Sequence, residues 1–144
     1  MQIPDFLSVF FLLPILCLFT TEGGIQAGEE VRMPAVANAF YPGNKIELAK
    51  MLDDLLNSAQ DRHVRGVIIG MISPHAGYVF SGGVAAQGYK QLEGREYDSV
   101  VILGVSHRVY APVPSIYPSG KFRTPLGDVD IDSELVSKIK SNYP

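Results

Sequence analysis

Two histidines carry the strongest chemical signal in this sequence. His75 lies three positions past the apolar run Gly66–Ile72 (GVIIGMI), and His107 lies two positions past a second such run, Ser99–Val105 (SVVILGV). Neutral imidazole is a favoured ligand for iron, copper, zinc and nickel, so two of them delivered to one place form two corners of a coordination sphere. The competing reading is that each is a hydrogen-bonding loop residue. A further ligand from this chain would be a carboxylate: Asp128, Asp130 and Asp132 alternate in GDVDID and would share one side of an extended segment. Turn formation and helix capping are the stronger reading of these three, because Asp132 directly precedes a helix-like segment. His63, between Arg62 and Val64 in a charged linker, reads as solvated. Ser73, Ser81 and Ser106 would be nucleophiles only beside a base. Gly77, Gly82 and Gly83 suit close approach of backbone to a ligand and tight turns equally well. The one cysteine, Cys17, excludes an intrachain disulfide and a Cys-based zinc site.

The elements that must position the two histidines follow from the patterns around them. Both apolar runs are short, β-branched and without alternation, as expected of strands covered on both faces in a parallel sheet. Between them, small residues and glycines lead into a predicted helix over Val84–Leu92, which makes Gly66–Val105 a β-loop-α-β unit. Such crossovers leave the strands parallel, with both carboxyl ends on one edge of the sheet, where α/β folds place ligands. Upstream, Val31–Gly43 reads as an extended segment closed by a Pro-Gly turn. Asn44 with Glu47 forms a capping-box pattern opening a helix over Lys45–Ser58, its apolar face drawn from Ile46, Leu48, Ala49, Met51, Leu52, Leu55 and Leu56. Downstream, Val113–Tyr117 is a candidate strand and Lys121–Asp132 a loop with short β structure. Ser133–Ser141 forms a last helix with Leu135, Val136 and Ile139 on one face. The sum is an α/β domain with a mainly parallel sheet and flanking helices.

With 144 residues, 47% of them hydrophobic and 19% charged, the chain has the makings of a single globular domain rather than a disordered one. Twelve Lys and Arg against 15 Asp and Glu give a net charge of −3, so no basic footprint for nucleic acid is present and none is expected as a partner. Phe6–Phe19 is an uncharged stretch shorter than the roughly 20 residues needed to span a bilayer. It fits the h-region of a signal peptide cleaved after Ile25-Gln26-Ala27. Residues 1–27 are therefore expected to be a leader and residues 28–144 the folded body, secreted or periplasmic. An uncleaved membrane anchor is the alternative. The leader has no Lys or Arg to form the usual positive n-region.

Four stretches in order point to one family. Ile72-Ser73-Pro74-His75-Ala76-Gly77-Tyr78-Val79-Phe80-Ser81-Gly82 resembles the PHAGY-x-[FY]-[SC]-G signature of the Memo-like family, known in prokaryotes as AmmeMemoRadiSam system protein B. Arg32-Met33-Pro34-Ala35 with Phe40-Tyr41-Pro42, Ile102 to His107 (ILGVSH), and Phe122 to Asp128 (FRTPLGD) resemble three further family blocks. The resemblance covers residues 31–144. It implies an α/β fold similar to class III extradiol dioxygenases (LigB-like), with a metal pocket at the sheet edge. It also implies that His75 and His107 are the family's two histidine ligands. The cofactor so implied is Fe(II), with copper as the alternative, and the activity is redox or dioxygenase-like. Tyr78 and Ser106 are then candidates to orient an imidazole or contact substrate. The family's third ligand, a cysteine in its C-terminal part, and its H-E-H-S-x-E-V-Q-L-P-F block have no counterpart in this sequence, so the resemblance is to a truncated, N-terminal portion. A non-catalytic module binding a peptide or phosphorylated ligand is the competing function, with Arg108 and Arg123 as anion contacts, and an inactive fragment is a third. The small-molecule or peptide ligand is not specified, and the family name implies association with radical-SAM and AMMECR1-like proteins.

Overall fold

The computed structural model describes residues 30–107 and 109–142. The expected leader, with Cys17, and Arg108 lie outside the described residues. Chain order is β1 (Val31–Arg32), α1 (Lys45–Ser58), α2 (Tyr78–Tyr89), a 3₁₀ turn (Lys90–Leu92), β2 (Lys121–Thr124), β3 (Gly127–Asp130) and α3 (Ser133–Asn142). Among the described residues, no helix is long and apolar enough to cross a membrane.

Helix α1 begins where the capping pattern places it. The Asn44 side-chain oxygen accepts from the backbone N–H of Ile46 at 2.9 Å and of Glu47 at 3.2 Å, satisfying two donors that the first turn leaves open. Its buried face is narrower than the apolar spacing suggests. Leu48 and Leu52 are buried, whereas Ile46 is 79% exposed because it lies on the far side from the core. Val36, Tyr41, Leu48 and Leu52 form the central cluster, with Ala37, Tyr78 and Leu126 packed around it. Leu52 is fully buried, a contribution of roughly 1.5–3 kcal/mol from that side chain.

Helix α2 starts six residues earlier than the expected Val84. The Ser-Gly-Gly sequence that argues against a helix start is what lets this helix lie close to α1: a Cβ on Gly82 would stand 2.9 Å from Leu55 Cδ1. Its packed side is made of Ser81, Gly82, Ala85 and Ala86. Small residues on that side bring the axes together.

The sheet is small and mixed, in the order β1-β2-β3, not the mainly parallel sheet expected. β1 pairs in parallel with β2, and β2 pairs antiparallel with β3 across the two-residue turn Pro125-Leu126. Lys121–Asp132 is thus mostly a hairpin. The Thr124 hydroxyl accepts from the N–H groups of Leu126 and Gly127, which closes the turn. Gly120 stands at φ +93°, and a Cβ there would meet the Glu30 carbonyl oxygen at 2.1 Å, so only glycine allows β1 to enter beside β2.

The runs Gly66–Ile72 and Ser99–Val105, and Val113–Tyr117, are not strands among the described residues. Among the described residues no backbone hydrogen bond joins the two runs, and at the start of the first run side chains reach the carbonyls instead. The Arg95 guanidinium donates to the carbonyls of Val64 and Gly66, both at 2.6 Å, and the Tyr97 hydroxyl donates to that of Ile68 at 3.0 Å. Side chains take the acceptors that a ladder would use. The direction of the expected unit nevertheless survives: the runs begin together at Arg95 and Tyr97 and end together at the two histidines, so they point the same way.

Candidate functional site

His75 stands at the end of the first run and just before α2. The loop that carries it is fixed by α2 itself. The Tyr78 N–H donates to the Phe40 carbonyl at 2.8 Å, and the Ser81 hydroxyl donates to the Ala76 carbonyl at 2.9 Å. Phe40 is presented by a tight loop in which Asn38, at φ +64°, exchanges bonds with Tyr41 and Gly43. Asparagine tolerates that left-handed backbone better than most residues. A chain of local contacts thus runs from the N-terminal extended segment to the first histidine.

His107 reaches the same place from the second run. The two Nε2 atoms lie 3.0 Å apart and the ring centroids 5.1 Å apart, with the rings tilted by 45°. One Nε2–H faces the other ring's lone pair, the direction depending on tautomer. The two residues are separated by 32 positions in sequence, and the structure brings them into contact.

A small pocket opens beside His75, lined by Phe40, Tyr41, Ser73, Tyr78, Ser81 and Tyr89 among others. The Ser73 hydroxyl oxygen is buried there with no hydrogen-bond partner among the described residues. Burial pushes the Tyr78 phenol well above its ordinary pKa, with smaller contributions from Tyr41 and Tyr89. Burial raises Tyr89 and Tyr41 in the same way, the latter opposed by the positive charge of Arg32. These phenols stay protonated near neutral pH. They can donate hydrogen bonds but cannot serve as bases.

The remaining candidates lie apart from this pair or are engaged elsewhere. Ser106 bonds with the backbone of Val109 in a local turn next to His107. Arg123 holds Asp128 across the hairpin in a two-pronged ion pair at 2.8 and 2.9 Å, so an anion at Arg123 would have to displace a carboxylate. Asp130 lies opposite Lys121, at 3.5 Å. Asp132 caps α3, accepting from the Leu135 N–H at 2.8 Å and from the Ser99 hydroxyl. All three aspartates therefore serve the hairpin and the helix start. His63 pairs with Asp61 on the surface. Among the described residues, no group of three His, Cys, Asp or Glu side chains is placed to hold a metal ion.

Two contributors escaped the sequence reading. Arg95 and Tyr97 align the beginnings of the runs whose ends carry the histidines. The available signal was an arginine and a tyrosine immediately before an uncharged apolar run, where their long polar side chains can reach neighbouring carbonyls.

Comparison with known proteins decides the family. The family model described as Memo-like protein matches residues 32–144. The chain belongs to the Memo-like family. It is 40% identical over 114 residues to a MEMO1 family protein of Thermoplasma acidophilum, covering 78% of this chain and 42% of that protein. It is 41% identical over 114 residues to a MEMO1 family protein of Aquifex aeolicus, covering 79% and 41% respectively. A MEMO1 family protein of Nitrosopumilus maritimus is 38% identical over 117 residues, covering 78% and 42%. The chain thus spans about two-fifths of the length of these relatives.

Proposed function

We propose that this Memo-like chain provides two histidine ligands, His75 and His107, to a metal-dependent redox protein, with Fe(II) as the first candidate metal and copper as the second. The observation that carries the reading is the 3.0 Å separation of the two Nε2 atoms at the converging ends of the two runs. Two nitrogens each about 2.0–2.1 Å from one ion would stand about this far apart when bound roughly at a right angle. That arrangement leaves other positions open. A bound ion of this kind would supply redox or oxygen chemistry. The chain's own residues do the rest: the α2 contacts hold His75, and Tyr78, kept protonated by burial, lines the pocket beside it. Ser73, with its buried hydroxyl, lines the same pocket. The third ligand implied by the family resemblance is a cysteine, and the sequence holds none after Cys17. On this reading the full coordination sphere includes a donor from beyond residues 30–144.

Metal titration followed by equilibrium dialysis and elemental analysis tests the reading. Fe(II), added without oxygen, or copper is expected to bind at about one equivalent. His75→Ala or His107→Ala should weaken binding by more than the about 10–100-fold typical of losing an outer-sphere partner. Arg123→Ala should leave it unchanged. Metal retained by His75→Ala at wild-type affinity would overturn the assignment.

A further inference from the structure

We propose that the pocket beside His75 receives the hydroxyl or carbonyl end of a small uncharged molecule, with the Ser73 hydroxyl as its hydrogen-bond partner. This adds a ligand class to the metal-site reading, and it rests on that reading only for what becomes of the molecule once bound. The Ser73 hydroxyl oxygen is buried in the pocket wall and has no hydrogen-bond partner among the described residues. Ser81, on the same wall, shows the ordinary arrangement, its hydroxyl donating to the Ala76 carbonyl at 2.9 Å. Buried polar groups are nearly always paired, and one left alone costs stability until something that binds completes it.

The lining selects the class of ligand. Four rings, Phe40, Tyr41, Tyr78 and Tyr89, wall the pocket, with the Tyr41 and Tyr78 centroids 5.5 Å apart. Among the described lining residues there is no Lys, Arg, Asp or Glu. Burial keeps the three phenols protonated and so uncharged. His75 turns its Nε2 toward His107. A carboxylate or phosphate entering here would give up its water with no fixed cation to replace it, whereas a hydroxyl or amide carbonyl gives up less and regains a bond from Ser73. An apolar wall with one polar anchor is the usual way a pocket orients such a ligand. The cavity of about 20 Å³ has room for a water-sized group, so the end of the molecule enters and the rest lies outside.

Acetamide and acetate, which have the same shape and differ in charge, are the probes. Each is titrated into the full chain without metal and followed by the amide NMR signals of residues 73–82. Acetamide is expected to shift them saturably and to bind roughly tenfold or more tighter than acetate. Ser73→Ala should weaken acetamide by about tenfold, the loss of one hydrogen bond. The same variant should keep the urea midpoint of the parent or raise it, because an unpaired hydroxyl does nothing for the free fold. Acetate binding as tightly as acetamide, no saturable shift with acetamide, an affinity untouched by Ser73→Ala, or a fall in its urea midpoint would each overturn the assignment. Since no metal is present, failure of acetamide while His75→Ala still abolishes metal binding strikes this assignment alone, and the converse strikes the metal reading alone.

Discussion

Asp132 joins two parts of the chain through one carboxylate. It accepts from the Ser99 hydroxyl at the head of the second run and from the Leu135 N–H in the first turn of α3. Ser99 first, and then the backbone of Leu135, hold this carboxyl below the usual carboxylate range. As pH falls, the unfolded chain therefore binds its proton before the folded chain does. The stabilisation is present above the unfolded value of about 3.9 and is lost as pH falls through the lower folded value. Asp132→Asn keeps a good capping oxygen but cannot titrate. Urea midpoints measured between about pH 3 and 5 should consequently fall less steeply for Asp132→Asn than for the parent chain. An unchanged slope would mean that the Ser99 contact contributes nothing in solution. Asp128 follows the same logic, its carboxyl being lowered first by its hydrogen bonds from Arg123.

Among the elements, the alignment of the two histidine-bearing runs depends on side chains more than on backbone pairing. Arg95 ties Val64, Gly66 and Gln91 together through their carbonyls. Replacing it with alanine removes all three charge-assisted bonds, and a loss of about 2 kcal/mol is expected. Arg95→Lys should recover only part of that loss, because an ammonium lacks the planar fork that reaches separated acceptors. Chemical denaturation of the three proteins checks the order. Equal stability of Arg95→Ala and the parent would remove Arg95 as the clamp. Helices α1 and α3 were legible beforehand, since capping residues and i, i+3, i+4 apolar spacing are local signals. The beginning of α2 was not legible. Glycine at positions 82 and 83 disfavours helix locally, and only the nearness of Leu55 explains the choice at position 82.

Taken together, the described residues have a modest core around Leu52 and a broad apolar exterior. Monomeric soluble proteins rarely expose contiguous apolar patches beyond a few hundred Å². The chain on its own is therefore expected to enhance the fluorescence of an apolar dye such as ANS under native conditions, while retaining its helical circular dichroism. Dye fluorescence no higher than that of a compact monomeric control protein would show that these side chains are covered in solution.

That His75 and His107 meet was readable from residue order, because two apolar runs joined by a helix end side by side, although the sheet edge expected there is not formed among the described residues. The family was readable for the same reason that motifs are: four short blocks kept their order. What the residue order could not convey was how the runs are paired. Period-two and unbroken apolar patterns report how much cover a segment needs, and they do not say whether its neighbours deliver it. In the folded chain, the carbonyls of Val64, Gly66 and Ile68 go to Arg95 and Tyr97, and the sheet forms instead from β1 and the Lys121–Asp130 hairpin. Those choices rest on contacts between residues up to about 90 positions apart in β1 and β2, which local propensity cannot encode.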